Sequence, residues 1–169
     1  LDKSRAEIYA LRKLGDRPFA LGSTWLLGFT VRLAPDFVPS RGYSNLSQPV
    51  NHQSFLNMVK LQGDTVTAQL SVFKDGIGTP ISIARTVEFQ RGEWTTFVIK
   101  MTFAKDGYYG LSVNGDEFQG IKIDTTKGGD RTAPFGLNVG LYGSATTGVD
   151  GKPLGDQVAE YYNIFAKKV

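Results

Sequence analysis

Apolar and polar residues alternate along most of this chain, which predicts strands. Between residues 24 and 33 every odd position, from Trp25 to Leu33, is apolar, while most even positions are polar or glycine. Successive side chains of a strand point to opposite faces of a sheet, so this pattern is typical of a half-buried strand. The same reasoning predicts strands at residues 54–62, 65–73, 80–89, 94–103, 108–113, 121–123, 135–142 and 158–166. Helix signals are scarce, and an all-β chain is expected.

Turn residues separate the predicted strands. Asn114-Gly115 follows residues 108–113 and is the strongest short hairpin signal in the chain. Residues 80–89 and 94–103 are expected to be neighbours across the turn between them. Such an order predicts an antiparallel β-sandwich whose last strand returns near the N-terminal region, as is common in jelly rolls.

Two segments are expected to be loops. Residues 41–49 are polar and contain glycine and proline, which predicts a mobile lid, and residues 143–156 form a second long loop. Within the first of them, Asn45-Leu46-Ser47 matches the short glycosylation motif, which also occurs by chance.

Length and composition narrow the class of protein. The 169 residues suit one domain, residues 1–169, that can bury a core without covalent staples. There is no cysteine, and the only histidine, His52, lies in a polar stretch and is given no role. The net charge of +3 comes from scattered basic residues, and no apolar run approaches the roughly 18 residues of a membrane helix. Neither nucleic acid nor a membrane is expected as a partner, and the oligomeric state is left open.

Two predicted strands combine the groups that grip an acidic sugar. One face of the first strand presents Arg5, Glu7 and Tyr9. One face of residues 136–142 presents Gly136, Asn138, Gly140 and Tyr142. The glycines leave room above the sheet, while guanidinium, carboxylate, amide and phenol groups donate to or accept from sugar carboxylates and hydroxyls. This pattern predicts a sugar-binding face.

The order of these motifs resembles the concanavalin-like jelly rolls of the polysaccharide lyases, especially the alginate, glucuronan and heparin lyase families. Ser4-Arg5-Ala6-Glu7-Ile8 is similar to their Arg-x-Glu-Leu strand, and Gly140-Leu141-Tyr142 is similar to their Gly-x-Tyr strand. The resemblance implies a site on the concave face of a jelly roll. There a tyrosine acts as acid or base, an arginine and an amide neutralise the uronate carboxylate, and a histidine often assists proton abstraction.

The chain departs from that family at two motifs. The Gln-x-His strand falls at Lys60-Leu61-Gln62, so that Lys60 holds the amide position and Gln62 the histidine position. A neutral glutamine does not serve as a general base. Before the Gly-x-Tyr motif, Asn138 stands in place of a lysine and Gly136 in place of a tyrosine.

Three functions therefore stay open. In the first, the concave face binds an acidic polysaccharide without turnover, as in a carbohydrate-binding module or a lectin-like domain of a phage tail or other surface protein. Its expected contacts are Arg5, Glu7, Tyr9, Lys60, Gln62, Asn138 and Tyr142. In another, the chain is a structural jelly roll of a virion or surface without a ligand, and Arg5 and Glu7 form a structural ion pair.

The remaining function is that of a polysaccharide lyase, which cleaves a uronate-containing glycan by β-elimination. Lys60 would neutralise the carboxylate or abstract the C5 proton, Arg5 and Gln62 would stabilise the enolate-like charge, and Tyr142 would protonate the leaving oxygen. Whether the chain is an enzyme is left open. Either glycan-related function suggests a location outside the cell or on a virion or cell surface.

Metals and aromatic residues complete the expectations. No metal or cofactor is expected, although oxygen ligands in residues 124–130 leave a structural calcium ion as an alternative. Trp25 and Trp94 stand at alternating positions and are expected in the core. Tyr43, Tyr108 and Tyr109 lie beside loops and are better candidates for sugar platforms.

Overall fold

Antiparallel strands make up the regular structure. A computed structural model of the chain describes residues 5–10, 21–42, 44–51, 54–55, 57–74, 77–125, 135–143 and 146–169. Across these ranges the strands are β1 (Arg5–Ala10), β2 (Thr24–Leu33), β3 (Ser44–Asn51), β4 (Ser54–Phe55), β5 (Asn57–Gln62), β6 (Thr65–Lys74), β7 (Ile77–Glu88), β8 (Thr95–Thr102), β9 (Gly107–Val113), β10 (Gln119–Ile123), β11 (Phe135–Gly143) and β12 (Ala159–Lys168). Within the same ranges there is no helix of the length and hydropathy needed to cross a membrane.

The strands form two sheets. A seven-stranded sheet has the order β1-β11-β3-β5-β6-β7, with β4 paired to β3, and a five-stranded sheet has the order β10-β9-β8-β2-β12. The early strands β1 and β2 pair with the late strands β11 and β12, so both sheets join distant parts of the chain. The predicted all-β antiparallel sandwich is confirmed.

The core lies between the two sheets. All odd positions of β2, from Trp25 to Leu33, are at most 9% exposed, and Phe97, Ile99 and Met101 of β8 lie beside them. Among the side chains that the structure describes, the seven-stranded sheet contributes the buried apolar residues Leu46, Val59, Leu61, Val66 and Val139. Burying a side chain of this kind stabilises the fold by about 1.5–3 kcal/mol. The alternation in the sequence thus determines the inner face of each strand.

The expected pairing of residues 80–89 with 94–103 is wrong. Strand β7 is the last strand of the seven-stranded sheet, whereas β8 lies inside the five-stranded sheet. The turn between them crosses from one sheet to the other, and Phe89 beside it packs on Phe97 in the core with ring centroids 6.2 Å apart. Alternation determines which face a strand buries, but it does not determine the neighbouring strand.

The expected mobile lid at residues 41–49 is also wrong for most of its length. Residues from Ser44 onward belong to β3, which lies between β11 and β5 in the seven-stranded sheet. Leu46 of this strand is 0% exposed. Glycine and proline flank or interrupt the segment, yet the pairing on both sides holds it as a central strand.

The Asn114-Gly115 signal is confirmed as a turn between two antiparallel strands, β9 and β10. Asn114 has φ of 53° and Gly115 has φ of 83°, the left-handed conformations that such turns require. The turn also positions Asp116 for an ion pair with Arg85 of β7. Arg85 Nη1 donates to Oδ1 of Asp116 at 2.9 Å, Nη2 donates to Oδ2 at 2.5 Å, and Nη1 also donates to the Leu111 carbonyl at 3.0 Å. This pair links the edges of the two sheets.

The Arg85–Asp116 pair is expected to stabilise the fold in a pH-dependent manner. The hydrogen bond from Arg85 lowers the pKa of Asp116 from 3.8 to about 2. A depressed carboxyl pKa stabilises the folded state fully above 3.8, and this contribution is lost as the pH falls towards 2. Because the Asp116 side chain is 42% exposed, solvent screening reduces the contribution to about 1 kcal/mol. Asp116→Asn should lower the free energy of unfolding by that amount at neutral pH, as measured by urea denaturation.

A matched control is Glu160→Gln, which removes a more exposed ion pair with Arg32, whose side chains are 38% and 49% exposed. This variant should lose less stability than Asp116→Asn. The prediction is contradicted if the stability difference between the wild type and Asp116→Asn persists unchanged below a pH of about 2.

Candidate functional site

Four adjacent strands of the seven-stranded sheet align four polar residues. Arg5 of β1 lies opposite Tyr142 of β11, Tyr142 lies opposite Asn45 of β3, and Asn45 lies opposite Lys60 of β5. Residues directly opposite one another share a face of the sheet. With strands about 4.8 Å apart, these four residues, hereafter the polar row, span about 14 Å across the strands. The polar row brings together three predicted site residues from distant parts of the sequence.

The polar row lies on the outer face of the sheet. Val59 and Leu61, which flank Lys60 along β5, are 0% and 1% exposed and belong to the core. Lys60 between them therefore points away from the core. Register places Arg5, Tyr142 and Asn45 on that same outer face.

Two bulges produce this alignment. Strand β11 shifts register against β3 between Val139 and Tyr142, and β3 shifts against β5 between Asn45 and Ser47. Without the first shift Tyr142 would lie opposite Ser44, and without the second Asn45 would lie opposite Leu61. Gly140 occupies the first bulge with φ of 149°, a conformation that L side chains rarely adopt. The glycine of Gly140-Leu141-Tyr142 is therefore required by backbone geometry.

Lys60 has an altered acidity. Its side chain is half-buried, and desolvation lowers its pKa from the ordinary value of 10.5. Burial disfavours the charged ammonium relative to the neutral amine. More of this lysine is consequently neutral, and able to accept a proton, than of a fully exposed lysine at the same pH.

Asn45 is the residue of the polar row that sequence reasoning missed. It lies in the segment predicted as a lid, yet it is 1% exposed in the middle of the sheet. Such burial removes the Asn45-Leu46-Ser47 motif from the surface where glycosylation would modify it. Leu46 is the only apolar residue among Ser44 to Ser47, so the segment has no alternation of apolar and polar residues that would predict a strand.

The other predicted contacts lie away from the polar row. Glu7 is opposite Gly140, and Tyr9 is opposite Asn138, so these residues follow one another along β1 and β11 on one side of the row. Asn138 is only 2% exposed. Gln62 is exposed, lies on the other side of the row and is about 7 Å along β5 from Lys60. The structure thus aligns Arg5, Tyr142 and Lys60 but separates Gln62 from Asn138.

Three further predictions concern residues that the structure does not describe. His52, Tyr43 and residues 126–130 of the predicted calcium loop lie outside the described residues. Among the described residues, no three histidine, aspartate or glutamate side chains come close enough to hold a metal ion.

The aromatic expectations are partly wrong. Trp25 is buried as expected, but Trp94 is 40% exposed and lies outside the core. Tyr109 is 0% exposed, which excludes it as a sugar platform, and burial raises the pKa of its phenol well above the usual range. Tyr108 is half-buried on the five-stranded sheet, where its Oη donates to the Phe118 carbonyl at 3.2 Å.

Comparison with known proteins gives matches by structure. No protein-family profile matches the sequence, and no curated protein matches it either. The fold is similar to an endo-β-1,4-glucuronan lyase from the fungus Trichoderma reesei, with a TM-score of 0.70 and 19% identity over 98% of this chain and 74% of that one.

Two structures of the family 7 alginate lyase A1-II′ are also similar. One has a TM-score of 0.65 and 17% identity, covering 89% of this chain and 64% of that one. The other is a variant in complex with the substrate GGMG, with a TM-score of 0.69 and 16% identity over 97% of this chain and 69% of that one.

These similarities confirm the predicted resemblance at the level of the fold. The sequence identities are 16–19%. The aligned regions cover 89–98% of this chain but only 64–74% of the lyase chains. The protein therefore has a concanavalin-like jelly-roll fold similar to that of the alginate and glucuronan lyases.

Proposed function

We propose that the outer face of the seven-stranded sheet binds an acidic polysaccharide and cleaves it by β-elimination. The observation that supports this most is the polar row, which sets a guanidinium, a phenol, an amide and an amine on four adjacent strands. Proteins of similar fold are named as glucuronan and alginate lyases, and two of the alginate lyase structures hold a substrate or a product.

In the proposed reaction two bonds of the polysaccharide break, and a C4–C5 double bond and a new O–H bond form. A base removes the C5 proton of a uronate, the C4–O4 glycosidic bond breaks, and a double bond forms between C4 and C5. The leaving oxygen receives a proton from an acid. Negative charge builds on the carboxylate as the C5 proton leaves, so positive or hydrogen-bonding groups beside that carboxylate lower the barrier.

Three residues of the polar row suit these tasks. Lys60 is proposed as the base, because desolvation lowers its pKa and favours the neutral amine. Tyr142 is proposed as the acid that protonates O4. Arg5 is proposed to neutralise and bind the carboxylate. Asn45, which is only 1% exposed, is proposed to position its neighbours in the row rather than to contact the sugar. Tyr142 and Lys60 are separated by one strand, about 10 Å between backbones, and their long side chains bridge that gap around a single sugar.

The charge of the site favours an acidic polymer. Two of the four residues of the polar row are basic, while the nearest predicted acidic contact, Glu7, lies opposite Gly140 outside the row. An acidic polysaccharide as substrate also fits a location outside the cell or on a virion or cell surface.

Binding without turnover is the second candidate function. It is favoured by Gln62, which is exposed beside the polar row and holds the position where the lyase resemblance implies a histidine. A glutamine amide binds sugar hydroxyls but does not accept the C5 proton. If Lys60 stays protonated in the complex, the same row holds the carboxylate and leaves the glycosidic bond intact.

The elimination itself is directly measurable. Incubation with alginate or glucuronan should raise the ultraviolet absorbance of the unsaturated product. Tyr142→Phe, which removes the acidic proton, should lower kcat by about 10²–10⁴-fold. Tyr108→Phe is the matched control, because it removes a phenol from the other sheet, and it should leave kcat unchanged.

Two results would contradict this prediction. Equal loss in both tyrosine variants would point to a structural effect rather than to an acid at position 142. No absorbance change with any acidic polysaccharide, together with retention of the wild type on immobilised polysaccharide, would establish the binding function instead.

The role of Lys60 predicts a pH dependence. If the neutral amine is the base, kcat/KM should rise with pH, with a midpoint below the ordinary lysine pKa of 10.5. Lys60→Arg should abolish turnover but preserve binding of the polysaccharide, because a guanidinium stays protonated. Lys152→Arg, an exchange in an exposed loop, is the control and should not change the profile.

The alternative role gives opposite results. A lysine that only neutralises the carboxylate acts in its charged form, so Lys60→Arg would keep most of the turnover. The rising limb below 10.5 would then be absent from the pH profile, and the assignment of Lys60 as base would be wrong.

A further inference from the structure

An exposed aromatic pair lies on the opposite side of the sandwich from the polar row. Trp94, which directly precedes β8, and Tyr162 of β12 are 40% and 52% exposed. Their ring centroids are 4.8 Å apart and the ring planes are nearly perpendicular, at 83°. The edge of one ring thus meets a face of the other, so this contact covers one face of one ring and leaves the remaining ring faces uncovered. The pair forms an open corner on the surface.

A fixed cation completes this corner. The guanidinium carbon of Arg32 lies 4.6 Å from the centre of the Trp94 ring. Arg32 Nε donates a hydrogen bond to Oε2 of Glu160 at 2.6 Å, and Arg32 Nη2 forms an ion pair with the same oxygen at 2.6 Å. Trp94, Tyr162, Arg32 and Glu160 are called the aromatic corner below. Its polar groups are held in place before any ligand arrives.

Strand register assembles the aromatic corner from three segments. Glu160 of β12 lies opposite Arg32 of β2, and Val31 lies opposite Thr95, which follows Trp94. Tyr162 lies opposite Thr30, whose hydroxyl bonds that of Thr96 at 2.9 Å. The four residues of the corner therefore share the outer face of one end of the five-stranded sheet.

The same face extends along β2 to a pair of lysines. Phe165 of β12 lies over Gly28, where any Cβ would collide with its ring. Beyond it, Lys167 of β12 lies opposite Leu26, and Leu26 lies opposite Lys100 of β8. From Arg32 to Leu26 the distance along the strand is about 20 Å. An aromatic site at one end and two lysines at the other are thus linked by a partly apolar surface.

This arrangement fits a sugar polymer with negative charges. The C–H bonds on one face of a pyranose ring pack against aromatic rings, whose faces carry partial negative charge. Arg32 and Glu160 offer a donor and an acceptor for the hydroxyl groups around the ring. Lys100 and Lys167 are complementary in charge to carboxylates further along the polymer. A purely apolar partner would not complement the ion pair of the corner, Lys167, or Lys100, whose ammonium lies 5.7 Å from the centre of the Phe118 ring.

We infer that the aromatic corner is a second glycan-binding site, which holds one sugar ring of an acidic polysaccharide whose chain runs along β2 towards Lys100 and Lys167. The identity of the polymer rests on the proposed function of the polar row, whereas the stacking site itself does not. The site faces away from the polar row, so it tethers the polymer rather than positions the bond to be cleaved.

The two tryptophans of the chain allow a direct test. Trp25 is 9% exposed and Trp94 is 40% exposed, so acrylamide should quench mainly Trp94. Alginate oligosaccharides should protect this fluorescence from quenching, whereas cello-oligosaccharides of the same length, which carry no carboxylates, should protect it less. Trp94→Phe should remove the quenchable signal and thereby confirm its origin.

Affinity measurements complete the test. Trp94→Ala and, independently, Tyr162→Ala should weaken binding of polymeric alginate by roughly tenfold. The double variant Lys100→Glu/Lys167→Glu should weaken it further at low salt. Val149→Ala, which shortens another exposed apolar side chain outside the corner, is the control and should bind as the wild type does. Circular dichroism checks that each variant is folded.

The outcomes separate this inference from the proposed function. Protection of Trp94 that persists in Lys60→Met supports the second site, whether or not the protein shows lyase activity. Protection that disappears in Lys60→Met, or that is absent in every variant, overturns the inference. It is also overturned if light scattering shows that Trp94→Ala converts a dimer to a monomer, since the corner is then a contact between two copies of the chain.

Discussion

Burial of one face of each sheet against the other is the constraint on which the rest of the structure depends. The apolar residues of β2 and β8, including Phe29 and Phe97 with ring centroids 5.5 Å apart, share one core with those of β5 and β11. Because the strand period is two, burying one set of side chains exposes the other set. The outer faces thereby become available for polar and aromatic groups without cost to the core.

The two β-bulges bring the residues of the candidate site into line on the outer face of the seven-stranded sheet. In a regular ladder, Tyr142 and Lys60 would lie beside residues other than Asn45, and the polar row would be broken. Each bulge inserts a residue and shifts the register by one. Gly140 permits the first shift because its φ of 149° is unfavourable for other residues. Backbone geometry, more than any single side chain, thus brings the polar row together.

Burial also changes the chemistry of the row. Asn45 is almost completely enclosed, and Lys60 is half-buried with a lowered pKa. A lysine in full contact with water would stay protonated at neutral pH and would serve only as a cation. Partial desolvation therefore increases the neutral fraction of Lys60 at a given pH, which the proposed role as a base requires. The aromatic corner shows the opposite principle, since Trp94 and Tyr162 stay 40% and 52% exposed even though Arg32 lies over one face of the Trp94 ring.

The sequence by itself determined most of the strand positions other than β3, the faces that those strands bury and the Asn114-Gly115 turn, because these depend on residues that are close together in the chain. The Arg5 and Tyr142 motifs were also recognisable, since each is a short local pattern. Only the tertiary structure decided that β7 and β8 lie in different sheets, that Asn45 belongs to a central strand and that Trp94 is exposed. These features depend on which strands pair and where their registers shift, and pairing between distant segments leaves no periodic signal in the sequence.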